Sequence, residues 1–261
     1  MIKSVFFDID GTLISFKTHT MLESTKKALN LLREKGIKLF IATGRSPFAL
    51  PAIKHILDFE FDGYVMLNGQ YCIVDNRVIH DKALPKEAFK YILPYIEEKK
   101  IACEFVEIDY TYLNFINDRV LELRKFLGAT VSDFDTRNPA RAEEKKTYQL
   151  CAYIKEDEEK EFFANMPECR GVRWNPLFVD VIPKDGGKGT GIAKLLDYLG
   201  LSKDEAMAFG DGGNDIEMLE FVKYGIAMGN AGENVKKSAS YVTEDVDNDG
   251  IYSAFVHYKI F

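Results

Sequence analysis

Apolar and polar positions follow two different rhythms along this chain. In the first, short continuous apolar runs ("SVFF", "IKLFIAT", "YVMLN" and, much later, "AMAFG", "YGIAM" and "YVT") are separated by stretches of helical periodicity. Continuous apolar runs of this length read as strands buried on both faces, and strands alternating with helices read as βαβ units on a parallel sheet. The helices carry their own punctuation. One near 24–35 ends at Gly36, Ser46-Pro47 can cap and start another, and one near 189–199 stops at Gly200. Leu195, Leu196 and Leu199 give that last helix an apolar stripe for the core.

Between about Asp81 and Pro183 the rhythm changes. Alternating segments such as "IACEFVEI", "YQLCAYI" and "GVRWN" now separate helical stretches near 86–99, 118–127 and 156–165, which suits a mixed sheet covered on one face by helices. The expected architecture is α/β, with a Rossmann-like parallel-sheet core (1–81 and 184–261) and an inserted α/β domain (82–183). "YCIVDNRVIH", with Asp75-Asn76 as a hairpin turn, leads up to the insertion, and "VDVIPKDGG" returns the chain to the core.

Composition narrows the partners. The 261 residues are 46% hydrophobic and 29% charged, enough for a sizeable core. A formal charge of −7 argues against nucleic acid or an anionic membrane, so an anionic ligand has to be held by a local cluster of cations or a metal. No run approaches the roughly 20 apolar residues that span a bilayer, and no signal-peptide core precedes the first strand, so a cytoplasmic protein is expected. Cys72, Cys103, Cys151 and Cys169 lie far apart and read as buried thiols, while the four scattered histidines make no zinc cluster. The sequence leaves the oligomeric state open, and a monomer is compatible with it.

Three polar clusters fall where ligands bind in open parallel sheets, beyond the carboxyl ends of the strands. Asp8 and Asp10 follow "SVFF", Thr43-Gly44-Arg45 follows "LFIA", and Asp211 with Asn214 and Asp215 follows "AMAFG". Converging carboxylates repel one another unless a positive charge lies between them. A hard divalent cation with oxygen ligands answers this, Mg²⁺ above all, since it combines a few carboxylates with waters and a substrate phosphate. The glycines Gly11, Gly44, Gly212 and Gly213 let backbone approach an anion, and Lys188 supplies a positive side chain.

Together "DIDGT" at 8–12, "ATGR" at 42–45, Lys188 and "GDGGND" at 210–215 resemble the four ordered motifs of the haloacid dehalogenase (HAD) superfamily of phosphatases. The inserted segment resembles the type IIB cap of its Cof-like branch. The resemblance implies a Mg²⁺-dependent hydrolase of small phosphate monoesters, with sugar (hexose) phosphates as the expected substrates. Asp8 would be the nucleophile that forms an aspartyl-phosphate, and Asp10 the general acid and base. The metal would be held by Asp8, the Asp10 carbonyl and Asp211, with Asp215 behind them. Thr43, Lys188, Asn214 and the N–H groups of Ile9 and Gly44 would grip the phosphate. The cap would cover the site and choose the leaving group, with Trp174, Asn175 and Asp180 as candidates for that reading.

Other readings stay open at this point. A phosphomutase would return the phosphoryl group to substrate, and a receiver-type signalling module also joins an acidic pair, a threonine and a lysine, though in a shorter chain. Lys184 in "KDGGKG" competes with Lys188, which is preferred because a helical pattern starts immediately after it. Arg45 reads equally as an ion-pair partner, and Asn68-Gly69 as a plain turn more than a ligand contact. "GGKGTG" is not a Walker loop, because Ile182 replaces its first glycine and Gly189 follows the lysine. "DVDNDG" starts like an EF-hand but has Val256 at the twelfth position, and reads as a polar turn.

Overall fold

The computed structural model describes residues 1–130 and 135–261, which divide into two compact units. The first comprises Met1–Gly44, Ile53–Asp81 and Gly187–Phe261; the second, Arg45–Ala52 and Lys82–Gly186. The strands in chain order are β1 (Ser4–Phe7), β2 (Lys38–Ala42), β3 (Gly63–Met66), β4 (Tyr71–Val74), β5 (Arg77–Asp81), β6 (Cys103–Val106), β7 (Thr111–Leu113), β8 (Gln149–Ala152), β9 (Cys169–Asn175), β10 (Phe178–Pro183), β11 (Ala206–Gly210), β12 (Tyr224–Ala227) and β13 (Tyr241–Val242).

The first unit is built on an eight-stranded sheet of order β13-β12-β11-β1-β2-β3-β4-β5. Its first six strands pair in parallel, and β4 and β5 close one edge as an antiparallel hairpin. Helices cover both faces of β1, which is why its sequence is apolar without alternation. Phe6 stacks on Phe40 at 5.0 Å on the side of the helix Lys188–Leu199, whose Ile192, Leu195 and Leu196 join the same cluster. Phe7 stacks on Phe209, which in turn meets Phe255 of the helix Gly250–His257. The helix Glu23–Glu34 buries Thr25, Ala28, Leu29 and Leu32, one face at helical spacing, before the chain turns at Gly36.

The second unit holds a five-stranded sheet of order β7-β6-β8-β10-β9. Phe89 and Ile92 of the helix Lys86–Glu98, and Phe162 of the helix Glu159–Ala164, cluster with Phe105, Tyr112, Leu150, Val179 and Val181 of that sheet. The alternate strand positions carry Glu104, Gln149, Cys151 and Asp180, so the other face is polar.

Three local expectations change. The second sheet is antiparallel in every ladder instead of mixed, because its strands are joined by hairpins and antiparallel returns. Ser46 does not start a helix: its hydroxyl accepts from the Ala49 N–H, closing a turn, and helical structure begins only at Leu50–Ile53 and Lys54–Leu57. The edge strand β13 is two residues long with Val242 exposed, because an edge has no second neighbour to bury it. The cysteines are all buried thiols, and residues 245–250 form a turn before the last helix. Among the described residues no helix is long and apolar enough to cross a membrane.

Phe6 is wholly buried between sheet and helix. Phe6→Ala is expected to destabilise the protein by about 3–5 kcal/mol, read as a lower denaturant midpoint, because the ring's contacts are lost and the rigid sheet cannot collapse into the space.

Candidate functional site

From β1 the chain winds outward through β2 and β3, and from β11 it winds the opposite way through β12 and β13. The two strands are neighbours, so their carboxyl ends flank the point where strand order reverses, and a crevice forms there. Asp8 is the first residue beyond β1 and Asp211 the first beyond β11.

Lys188, the first residue of its helix, is fully buried and reaches both acidic loops. Its Nζ donates to Asp8 Oδ1 at 2.5 Å and to Asp215 Oδ1 at 2.6 Å. The other oxygen of Asp215 accepts from the N–H groups of Asp211 and Gly212, at 2.9 and 2.8 Å, so this carboxylate is spent on holding its own loop. Asp211 Oδ1 accepts from the Thr12 hydroxyl at 2.8 Å, which joins the two loops directly. Between them stands Gly11 at φ +90°, where a Cβ would lie 2.2 Å from Asp211 Oδ2. Only glycine fits here, by conformation and by space.

Asp10 lies in a tight turn in which the Ile9 carbonyl accepts from the N–H groups of Thr12, Leu13 and Ile14. Asn230 supports the turn, donating to the Gly11 carbonyl at 2.9 Å while accepting from the Val246 N–H. At the end of β2, the Thr43 N–H donates to the Val65 carbonyl and the Thr43 carbonyl accepts from the Asn68 N–H. Asn214 donates through Nδ2 to Asn68 Oδ1 at 3.0 Å, and Gly44 lies against the same Asn68 side chain.

The residues named from the sequence for the strand ends therefore converge: Lys188 bonds Asp8 and Asp215, Asp215 holds the Asp211 N–H, Ile9 and Asp10 follow Asp8, and Thr43, Gly44 and Asn214 meet at Asn68. Asp180 and Trp174 belong to the second unit. Asp180 is buried and accepts from Gln149 Nε2 and the Cys151 thiol, and the Trp174 ring stands edge-on to Phe178. Lys184 is exposed in that unit, which leaves Lys188 as the lysine that meets the acids. Arg45 donates to the Thr130 carbonyl within the second unit, where it lines a cavity of about 110 Å³ with Phe48, Glu104, Arg124 and Tyr153. Thr12 and Asn230 were missed at the level of sequence. Thr12 was visible inside "DIDGT", whereas nothing around Asn230 signals its partner at Gly11.

Burial dominates the electrostatics. It drives the Asp8 carboxyl upward, the Lys188 ammonium opposes this, and Asp215 and Asp10 add to the rise, leaving a pKa of about 7. Burial likewise pushes Asp211 well above the carboxylate range, with Asp8 and Asp215 contributing. For Lys188 burial acts downward, but Asp215 and Asp8 together overcome it, and the ammonium stays charged. Ligand oxygens of Asp8, Asp211 and Asp215 lie within 4.8 Å of one another. An all-oxygen donor set in which carboxylates outnumber the one buried ammonium fits a hard divalent cation.

A doubly wound sheet whose first strand ends in an acid pair, met by further acids and a buried lysine, defines an α/β enzyme acting on an anionic group. The chain belongs to the haloacid dehalogenase-like hydrolase family, whose model matches residues 5–255, and within it to the Cof-like phosphatases. It is 36% identical over 249 residues to YkrA of Bacillus subtilis (strain 168), provisionally termed a phosphatase, covering 95% of each chain. The solved structure of the HAD subclass IIB sugar phosphatase BT4131 is 41% identical with a TM-score of 0.90, covering 99% of this chain and 100% of that one. The phosphatase BT1666 from Bacteroides thetaiotaomicron is 34% identical with a TM-score of 0.90, over 100% and 96% of the two chains.

The raised pKa of Asp8 has a consequence for stability. Its folded value lies above its ordinary value of 3.8, so its favourable contribution is complete below pH 4 and is lost as pH rises towards about 7. In chelator, the melting temperature is therefore expected to fall between pH 5 and pH 8. Asp8→Asn should flatten that dependence, and equal slopes for the two proteins would contradict the burial of a repelled carboxylate.

Proposed function

We propose that this phosphatase hydrolyses small phosphate monoesters, sugar (hexose) phosphates among them, through an aspartyl-phosphate on Asp8 and with Mg²⁺ as cofactor. The observation that carries the reading is the buried Lys188 ammonium bonded to both Asp8 and Asp215 beside Asp211. The sugar class is supported by the likeness to a solved sugar phosphatase. The second unit serves as the cap that selects the leaving group.

The residues present fit the metal: Asp8 and Asp211 would hold it by carboxylate and Asp10 by its carbonyl, with Asp215 fixing the Asp211 loop. When bound, Mg²⁺ supplies positive charge against the carboxylates and the substrate phosphate. Lys188, the Thr43 hydroxyl, the Asn214 amide and the N–H groups of Ile9 and Gly44 receive the phosphate oxygens. An Asp8 oxygen attacks phosphorus in line, and the bond to the leaving oxygen breaks. Asp10 gives its proton to that oxygen, so the sugar departs as an alcohol. A water then attacks phosphorus while Asp10 takes its proton, the bond to Asp8 breaks, and inorganic phosphate and free Asp8 result. Most of the rate comes from positioning and charge stabilisation, because phosphoryl transfer leaves the protein little covalent work.

Asp8→Asn is expected to abolish turnover of sugar phosphates while the circular dichroism spectrum stays native; a variant retaining a tenth of the rate would require another nucleophile. Chelation should stop turnover and Mg²⁺ restore it. Release of inorganic phosphate separates hydrolysis from a mutase reaction.

Asp10→Asn keeps the backbone carbonyl and removes only the proton, a share of typically about 10² to 10⁴ in rate. Single-turnover phosphorylation should lose far more with a sugar phosphate than with nitrophenyl phosphate, whose leaving group needs little protonation. Equal losses would remove Asp10 as the general acid.

A further inference from the structure

The turn after β3 departs from the plain turn its Asn68-Gly69 dipeptide suggests. Leu67, Asn68 and Gly69 are consecutive residues with left-handed backbone, at φ 54°, 51° and 93°, and all three are buried. A leucine in this region is an outlier that persists only where the surroundings impose it. The surroundings here are the pieces assigned above to the phosphate. The Asn68 N–H donates to the Thr43 carbonyl, and the Asn68 side chain lies against Gly44. Its Oδ1 accepts from Asn214 Nδ2. Gly69 packs so closely on the start of the next helix that a Cβ would lie 2.0 Å from the Gly187 carbonyl oxygen, one residue before Lys188.

We infer that Asn68 is a positioning residue of the phosphate subsite, fixing the Asn214 amide with its N–H₂ edge available to the anion and bracing the Thr43-Gly44 loop. This rests on the assignment of Asn214 to the phosphate. The chemistry is that of donor and acceptor edges. An amide carries two N–H donors on one side and a lone-pair acceptor on the other, and a flipped Asn214 would set its oxygen against Asn68 Oδ1, acceptor against acceptor. One Asn214 N–H is engaged by Asn68, which leaves the second in a fixed direction for an oxyanion. Asparagine is also among the few residues with a side chain that tolerate the left-handed backbone, so conformation and hydrogen bonding select the same residue here.

The test is a double-mutant cycle read as the inhibition constant of inorganic phosphate, with melting temperatures recorded for each protein. Asn68→Gly keeps the left-handed backbone and deletes the amide; Asn214→Ala deletes the donor. Each is expected to weaken phosphate about tenfold, the scale of one hydrogen bond to a charged group. The double variant should be no weaker than Asn214→Ala alone, within about twofold, because both deletions remove the same interaction. If Asn68→Gly does not fold, Asn68→Ala takes its place in the cycle. A purely structural role would lower the melting temperature and leave the phosphate constant unchanged, which overturns the inference, as would additive losses. An Asn214→Ala protein with unaltered phosphate affinity would overturn the assignment of Asn214 as well.

Discussion

A single buried ammonium organises this molecule. Lys188 is withdrawn completely from water and bonded to Asp8 and Asp215. Removing a charge from water is costly unless partners replace the solvent, and a buried pair that loses one partner is strongly destabilised. The lysine therefore ties the loop after β1, the loop after β11 and the start of its own helix into one arrangement. Each of these elements comes from a distant part of the sequence, so the interaction fixes tertiary structure as well as chemistry.

The arrangement is deliberately unbalanced in charge. Lys188 is shared between Asp8 and Asp215, and Asp215 also holds two backbone N–H groups, so one ammonium stands against three carboxylates and the pKa values of Asp8 and Asp211 are raised. Such a site suits the cation and the phosphate ester proposed for it. In the proposed mechanism the burial that raises the carboxylate pKa values also excludes the water that would screen a bound phosphate. The polar loops around the site are held by groups that touch no substrate in the proposed mechanism, Thr12 on Asp211 and Asn230 on Gly11. Their effect is to restrict the carboxylates to one geometry before any ligand arrives.

The second unit shows a different use of polar residues. One face of its antiparallel sheet packs on helices, and the other carries Glu104, Gln149, Cys151 and Asp180. Burial raises the Glu104 carboxyl, and the Thr111 hydroxyl donates to it; Gln149 and Cys151 donate to Asp180. Each of these buried acids is thus met by a neighbouring donor, as burial of a polar group requires.

Local pattern alone determined a good deal. The unbroken apolar runs announced strands covered on both faces, the glycines at 36 and 200 marked helix ends, and the acids after "SVFF" and "AMAFG" marked a ligand site, because strand burial and turn chemistry are written in neighbouring residues. The preference for Lys188 over Lys184 in "KDGGKG" rested on the helical pattern that starts there, whereas its partners came only with the fold, which leaves Lys184 exposed in the second unit and carries Lys188 into the acids. Asn68-Gly69 read as a turn because its dipeptide is a turn signal, and its role as a brace emerges only from contacts with Thr43, Asn214 and Gly187. The partners of Lys188, Asn68 and Asn230 lie 180, 146 and 219 positions away. Local sequence fixes backbone preference and burial, whereas a hydrogen bond across such a separation exists only once the sheet has brought its strand ends together.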